Sequence, residues 1–125
     1  MQSNIFKDSS ITERRKTTAD ATPVVSHSIN MSEGQAVKIS AQVLAKNSDE
    51  TVLADFTVHG TFYRSTAGDV TQLNYQSSLP ENKTDDGLAF DFVADTVSQQ
   101  IDVQLTGIAA TSIKWYIRTE HYILS

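Results

Sequence analysis

Residues 101–124 read IDVQLTGIAATSIKWYIRTEHYIL, and the fold class can be inferred mainly from this stretch. Apolar side chains occupy alternate positions in both of its halves: Ile101, Val103 and Leu105, then Ile113, Trp115 and Ile117. A period of two is typical of a strand with one buried face. Gly107 and the small residues after it interrupt the pattern, so we expect two antiparallel strands joined as a β-hairpin. The other strands should pack on this hairpin, with Trp115 on its apolar face.

The same alternation recurs upstream, in residues 36–46, 54–62 and 89–94. Turn-forming residues separate these runs at short intervals, and no stretch of the main body has the period of a helix. Many short strands with regular turns indicate a sandwich or a barrel. We therefore predict an all-β fold, an antiparallel β-sandwich (jelly-roll or Ig-like) of about seven or eight strands. The largest side chains on the apolar faces are the expected core: Phe56, Phe62, Phe90, Phe92 and Trp115.

The 125 residues are expected to form one domain, residues 16–125, preceded by an extended N-terminal arm, residues 1–15. The arm is polar apart from a few isolated apolar positions, and it ends in a basic cluster. Two interpretations stay open, a frayed terminus and an arm that becomes ordered on a neighbouring subunit. In the second, apolar anchors and arginines that pair with carboxylates would make the contact: Ile5, Phe6, Ile11, Arg14 and Arg15.

Composition excludes several classes of function. The net charge of −5 and the pI near 5.0 argue against non-specific nucleic-acid binding, which needs a basic surface. The chain has no cysteine, so disulfides, thiolate metal sites and a cysteine nucleophile are excluded. No window approaches the roughly 20 apolar residues of a membrane span. The first ten residues also lack the apolar segment of a signal peptide, so we expect a soluble, unprocessed protein.

No residue pattern indicates catalysis or a cofactor. His27, His59 and His121 lack metal-ligand spacing, and Ser28 has no nucleophile elbow around it. Six acidic residues lie between Glu81 and Asp102, in a region that could recognise a basic partner. We favour the alternative, in which they keep the protein soluble and protect strand edges. The prediction is a non-enzymatic protein with no catalytic, cofactor or metal residue.

Three groups of residues resemble a domain of virion structural proteins from tailed bacteriophages, which include tail-fibre, collar and capsid-decoration components. The resemblance covers residues 14–124. It is carried by an opening T-T-x-D-A-T-P-like motif, a G-x-F-x-R step and a closing V-T-G…I-x-W pattern, whose first position is Leu105 in this chain. The matching positions are Thr17, Thr18, Asp20 to Pro23; Gly60, Phe62, Arg64; and Leu105, Thr106, Gly107, Ile113, Trp115.

This resemblance implies a β-sandwich that serves in assembly, with no catalytic residues. Because the chain ends where the domain ends, we expect a small capsid-decoration, cement, collar or tail-attached subunit. Its partners would be other virion proteins of the capsid, portal, collar or tail, and copies of itself in a homo-oligomer or symmetric array. Nucleic acid and membranes are not expected as partners. The protein would be made in the host cytoplasm and reside in the virion. The alternative is a tail-fibre-type receptor- or carbohydrate-binding module that uses Tyr63, Tyr75 and Tyr116.

Overall fold

The computed structural model describes residues 9–73 and 77–125, which contain nine β-strands and no helix. The strands are β1 (Ser9–Thr18), β2 (Val24–Asn30), β3 (Ala36–Asn47), β4 (Val52–Tyr63), β5 (Thr71–Gln72), β6 (Ser77–Lys83), β7 (Ala89–Asp95), β8 (Gln100–Thr106) and β9 (Ile113–Leu124). The all-β prediction is confirmed. The count exceeds the expected seven or eight, and one reason is that the predicted arm contains most of β1.

The strands form two antiparallel sheets that face each other. Sheet A has the order β1-β9-β3-β4-β5, with β6 also paired to β4, and sheet B has the order β2-β8-β7. Sheet B has fewer strands than sheet A, and its edge strand β2 lies on the side of β1. The sandwich prediction is confirmed, with unequal sheets.

The core consists of the inward-facing residues of both sheets. Strands β3, β4, β8 and β9 each alternate between buried and more exposed side chains, as their sequences predict. The five aromatic residues expected in the core are all buried: Phe56, Phe62, Phe90, Phe92 and Trp115. The rings of Phe90 and Phe92 meet edge to face, with centroids 5.4 Å apart. Removal of this apolar surface from water is the main source of the fold's stability.

The predicted hairpin of residues 101–124 is wrong. β8 pairs with β2 and β7 in sheet B, whereas β9 pairs with β1 and β3 in sheet A. The connection between them therefore crosses from one sheet to the other. Both strands direct their apolar face into the same core, so the alternation is as expected although the two strands are not paired.

The boundary predicted between residues 15 and 16 falls inside β1. The chain pairs with β9 continuously from Ser9 to Thr18, in register with Tyr122 to Ile113. Residues 1–8, including Ile5 and Phe6, lie outside the described residues. Of the predicted partner-binding residues, Ile11, Arg14 and Arg15 therefore belong to an edge strand of the sandwich.

Candidate functional site

The three described arm residues occupy both sides of β1. Ile11 and Arg15 lie opposite Glu120 and Tyr116 on the outer face of sheet A. Arg14 lies opposite Ile117, whose side chain is buried, and so belongs to the inner side. The structure therefore divides this group of residues between the two sides of sheet A, and Arg14 is exposed although it lies on the inner side.

Arg15 lines a shallow groove of about 430 Å³ on the outer face of sheet A. Two adjacent cross-strand rows form it, and we call it the basic groove. One row is Arg15–Tyr116–Leu44 and the other is Thr17–Lys114–Lys46. Because residues two apart on a strand share a face, the register of three strands places all six side chains together.

Three cations surround the aromatic centre of this groove. The Arg15 guanidinium lies 5.8 Å from the Tyr116 ring centroid, within the range of a cation–π contact. The Tyr116 hydroxyl donates a 2.9 Å hydrogen bond to Glu13, which raises the pKa of Tyr116. Lys46 pairs with Glu50 and lowers the pKa of that carboxyl, and the charge of Lys114 acts in the same direction. Glu13 and Glu50 offset part of this positive charge, and the excess that remains favours an anionic group.

The outer face of sheet B has the opposite charge. Its three strands contain Asp91, Asp95 and Asp102 and no lysine or arginine. Asp102 accepts hydrogen bonds from Ser28 at 2.7 Å and from Gln100 at 2.8 Å. The net charge of −5 is therefore unevenly distributed, with a basic patch on β1, β3 and β9 and an acidic face on the other sheet.

Residues from the opening and closing motifs of the phage resemblance meet at one point. The indole Nε1 of Trp115 donates a buried 2.9 Å hydrogen bond to Thr18 Oγ1. A Cβ on Gly107 would lie 2.5 Å from that oxygen and 2.8 Å from the Asp20 carbonyl, so no larger residue fits. These residues fasten the end of β1 to the sandwich, which is a structural role.

The middle motif is structural as well. A Cβ on Gly60 would lie 3.1 Å from a ring carbon of Phe92 and 3.3 Å from one of Phe62, so the glycine makes room for these two rings. Arg64 donates to the carbonyls of Met31 and Gly68, each at 2.9 Å, and joins two loops. The resemblance is therefore carried by residues that build the fold.

The structure brings two of the three histidines close to β1. His27 on β2 forms 3.0 Å hydrogen bonds with Thr119 of β9 and with Ser26. Burial, followed by the positive charges of Arg14, His121 and Lys16, lowers the pKa of His27 to about 4. Burial also lowers the pKa of His121, whose Nδ1 is buried without a hydrogen-bond partner.

The acidic loop residues act locally where the structure describes them. Asp85 Oδ1 accepts a 2.7 Å hydrogen bond from the Gly87 amide and shapes the turn before β7. Within residues 9–73 and 77–125, no three His, Asp or Glu side chains are placed to hold a metal ion. The same residues include no helix long and apolar enough to cross a membrane.

Sequence reasoning missed most of the basic groove. Lys46, Lys114 and Leu44 belong to two strands whose pairing could not be deduced from one sequence. The one available signal was Leu44, an apolar residue on the polar side of its strand, which is 45% exposed beside Tyr116. Single exposed apolar side chains are common on protein surfaces, so Leu44 alone did not identify the groove.

No protein-family model matches the chain. No curated protein matches it either. Three solved structures with a similar course of the chain are phage tailspikes. The first is the tailspike of Acinetobacter baumannii phage AM24, with 10% sequence identity and a TM-score of 0.44. The second is the tailspike of A. baumannii bacteriophage Fri1, described as a capsular polysaccharide depolymerase, with 7% identity and a TM-score of 0.46. The third is the tailspike of Acinetobacter phage vB_ApiP_P1, with 10% identity and a TM-score of 0.35.

These matches cover 98%, 95% and 94% of this chain but only 27%, 20% and 21% of the respective tailspikes. The chain therefore spans about a quarter of their length or less. At these identities and TM-scores, no residue role, activity or substrate carries over from a tailspike to this chain.

Proposed function

We propose that this chain is a non-enzymatic structural protein of a tailed-bacteriophage virion that binds neighbouring virion proteins through its N-terminal segment and the surface of its sandwich. A capsid-decoration, cement, collar or tail-attached subunit fits this role. The phage-type motifs motivate the virion assignment. The observation that carries the binding role is the basic groove, which joins the N-terminal strand to two central strands.

The arrangement of side chains supports attachment more than catalysis. The interior is filled with aliphatic and aromatic side chains. The groove combines Tyr116 and Leu44 with cations, and aromatic residues and arginine are enriched in protein interfaces. A shallow site of this kind binds weakly alone and strongly when many copies act together on a symmetric particle.

Incorporation into purified virus particles tests this function. Mass spectrometry should detect the full-length chain in stoichiometric amounts, and loss of residues 1–8 or the pair Arg15→Glu and Lys114→Glu should reduce incorporation. Lys38→Glu is the matched control, because Lys38 lies on the outer face of β3 opposite Tyr122, away from the groove. Absence of the full-length chain from particles would overturn the virion role. Turnover of a substrate by the isolated chain would overturn the non-enzymatic one.

The basic groove also supports a second candidate, a receptor- or carbohydrate-binding module for acidic sugars. The tyrosines that motivate this alternative do not form one platform. Tyr63 and Tyr116 pair with Ala36 and Leu44, eight residues apart on β3, or about 27 Å along a strand. Tyr75 lies outside the described residues. Binding of an acidic oligosaccharide array, abolished by Lys114→Glu, would favour this candidate, and no binding by folded protein would remove it.

A further inference from the structure

β1 is attached to the sandwich through one strand. It pairs with β9 from Ser9 to Thr18, and no other described strand pairs with it. Thr18 is its one buried side chain, and its one large apolar side chain, Ile11, is 54% exposed. β1 itself therefore contributes little apolar side-chain surface to the core, and its detachment would uncover the edge of β9.

The connection after β1 can act as a hinge. Residues 19–23, with the sequence ADATP, are all exposed and lead from sheet A to sheet B. A 2.9 Å hydrogen bond from the Thr22 amide to Asp20 Oδ1 keeps this segment turned. Five extended residues reach at most about 18 Å, enough to carry a strand away from its own edge. Pro23 is compatible with an extended conformation of the connection.

Three side-chain contacts join β1 to β9. Glu13 accepts from Tyr116, Arg15 lies over the same ring, and Thr18 accepts from Trp115. A second copy of the chain offers the same β9 edge with the same side chains. All of these contacts can therefore form between two copies as well as within one.

We infer that β1 exchanges between two copies of this chain, so that β1 of each copy pairs with β9 of the other in the register seen within one chain. This inference rests on the proposed function, in which the N-terminal segment binds a neighbouring protein. It adds that this neighbour is a second copy of the same chain. Exchange of an identical strand needs no new interface and favours a closed two-fold dimer. The proportion of dimer rises with protein concentration, by mass action.

Disulfide trapping tests this inference cleanly because the chain has no cysteine. Ile11 and Glu120 are directly opposed on β1 and β9. A chain with Ile11→Cys and a size-tagged chain with Glu120→Cys are refolded together at high concentration, oxidised and separated by non-reducing electrophoresis. Exchange predicts a covalent heterodimer that is several-fold more abundant than the product formed when Asp55→Cys replaces Glu120→Cys. Asp55 is an exposed residue of β4 in the same sheet, so it reports random collision.

A variant with a shortened hinge gives an independent measurement. Removal of Ala21 and Thr22 prevents β1 from folding back on its own β9, so light scattering after size exclusion should show a dimer. The inference would be overturned by a monomeric variant with native circular dichroism. It would also be overturned if the Ile11→Cys and Glu120→Cys chains gave no more heterodimer than the Asp55→Cys control. Both measurements use the isolated chain and do not require virus particles. If β1 exchanges but the protein is absent from particles, the proposed function is wrong and this inference stands.

Discussion

The inner space of the sandwich has two regions of opposite character, and β9 contributes to both. At its start, Ile113, Trp115 and Ile117 are at most 1% exposed and lie in the apolar centre. Further along the strand, Thr119 and His121 occupy the same face, in a polar margin beneath β1. The difference shows that the inner face of one strand can stabilise the core at one end and make only polar contacts at the other end. Changes in the centre should therefore cost much more than changes in the margin.

Trp115→Ala should have the largest effect, because it removes the largest buried side chain of the apolar centre. We expect the free energy of unfolding to fall by about 3–5 kcal/mol, measured by urea denaturation followed by circular dichroism. Trp115→Phe is the milder control, since it keeps most of the ring volume. An Ala variant as stable as the parent, with only binding lost, would make Trp115 a site residue.

Thr18→Val should have the next largest effect, because it removes the acceptor for the buried Trp115 Nε1 without changing the side-chain shape much. An unsatisfied buried donor costs about 1–3 kcal/mol. A double-mutant cycle with Trp115→Phe checks the mechanism, since the second change should cost less once the first is present. Additive effects would show that Thr18 does not anchor β1 through this bond.

His27 in the polar margin should make stability depend on pH. Because its folded pKa of about 4 lies below the usual 6.5, the unfolded chain binds a proton that the folded chain does not. This stabilisation is complete above pH 6.5 and is lost as the pH falls towards 4. His27 is only half-buried, so solvent screening reduces the effect to about 1 kcal/mol.

His27→Gln is the matched variant, because glutamine can hydrogen-bond to Thr119 but does not titrate in this range. The difference in free energy of unfolding between parent and variant should shrink, or change sign, on acidification. Groups that do not interact with His27 are common to both proteins and cancel in this difference, whereas His121, whose charge acts on His27, does not. Parallel pH profiles would contradict the neutral state of His27.

Ile11→Ser should have the smallest effect on stability, because Ile11 is mostly exposed on the outer face of β1. We expect a change within about 0.5 kcal/mol in urea denaturation. Ile39→Ser, at a fully buried residue of β3, is the contrasting control and should be strongly destabilising. A large loss from Ile11→Ser would place part of β1 within the apolar core.

The comparison of the predicted and observed structure of residues 101–124 shows what can be predicted from the sequence and what cannot. The period of two correctly marks both strands and the buried side of each, since a strand's side chains alternate whatever its neighbours are. Pairing depends on which backbone lies beside which, and β8 and β9 present equally apolar faces to either sheet. A hairpin is therefore a reasonable expectation from these residues, and the opposite-sheet arrangement cannot be derived from one sequence.

The amino-acid pattern alone was enough to establish the all-β class, the faces of the main strands and the aromatic core, because these depend on the local alternation of apolar and polar residues. The folded arrangement was needed to show that β1 belongs to the sandwich, that Thr18 meets Trp115, and that Arg15, Lys46 and Lys114 share one groove. Each of these relations joins residues distant in the chain. The physical reason is that such contacts are set by strand order and register, which local patterns do not encode.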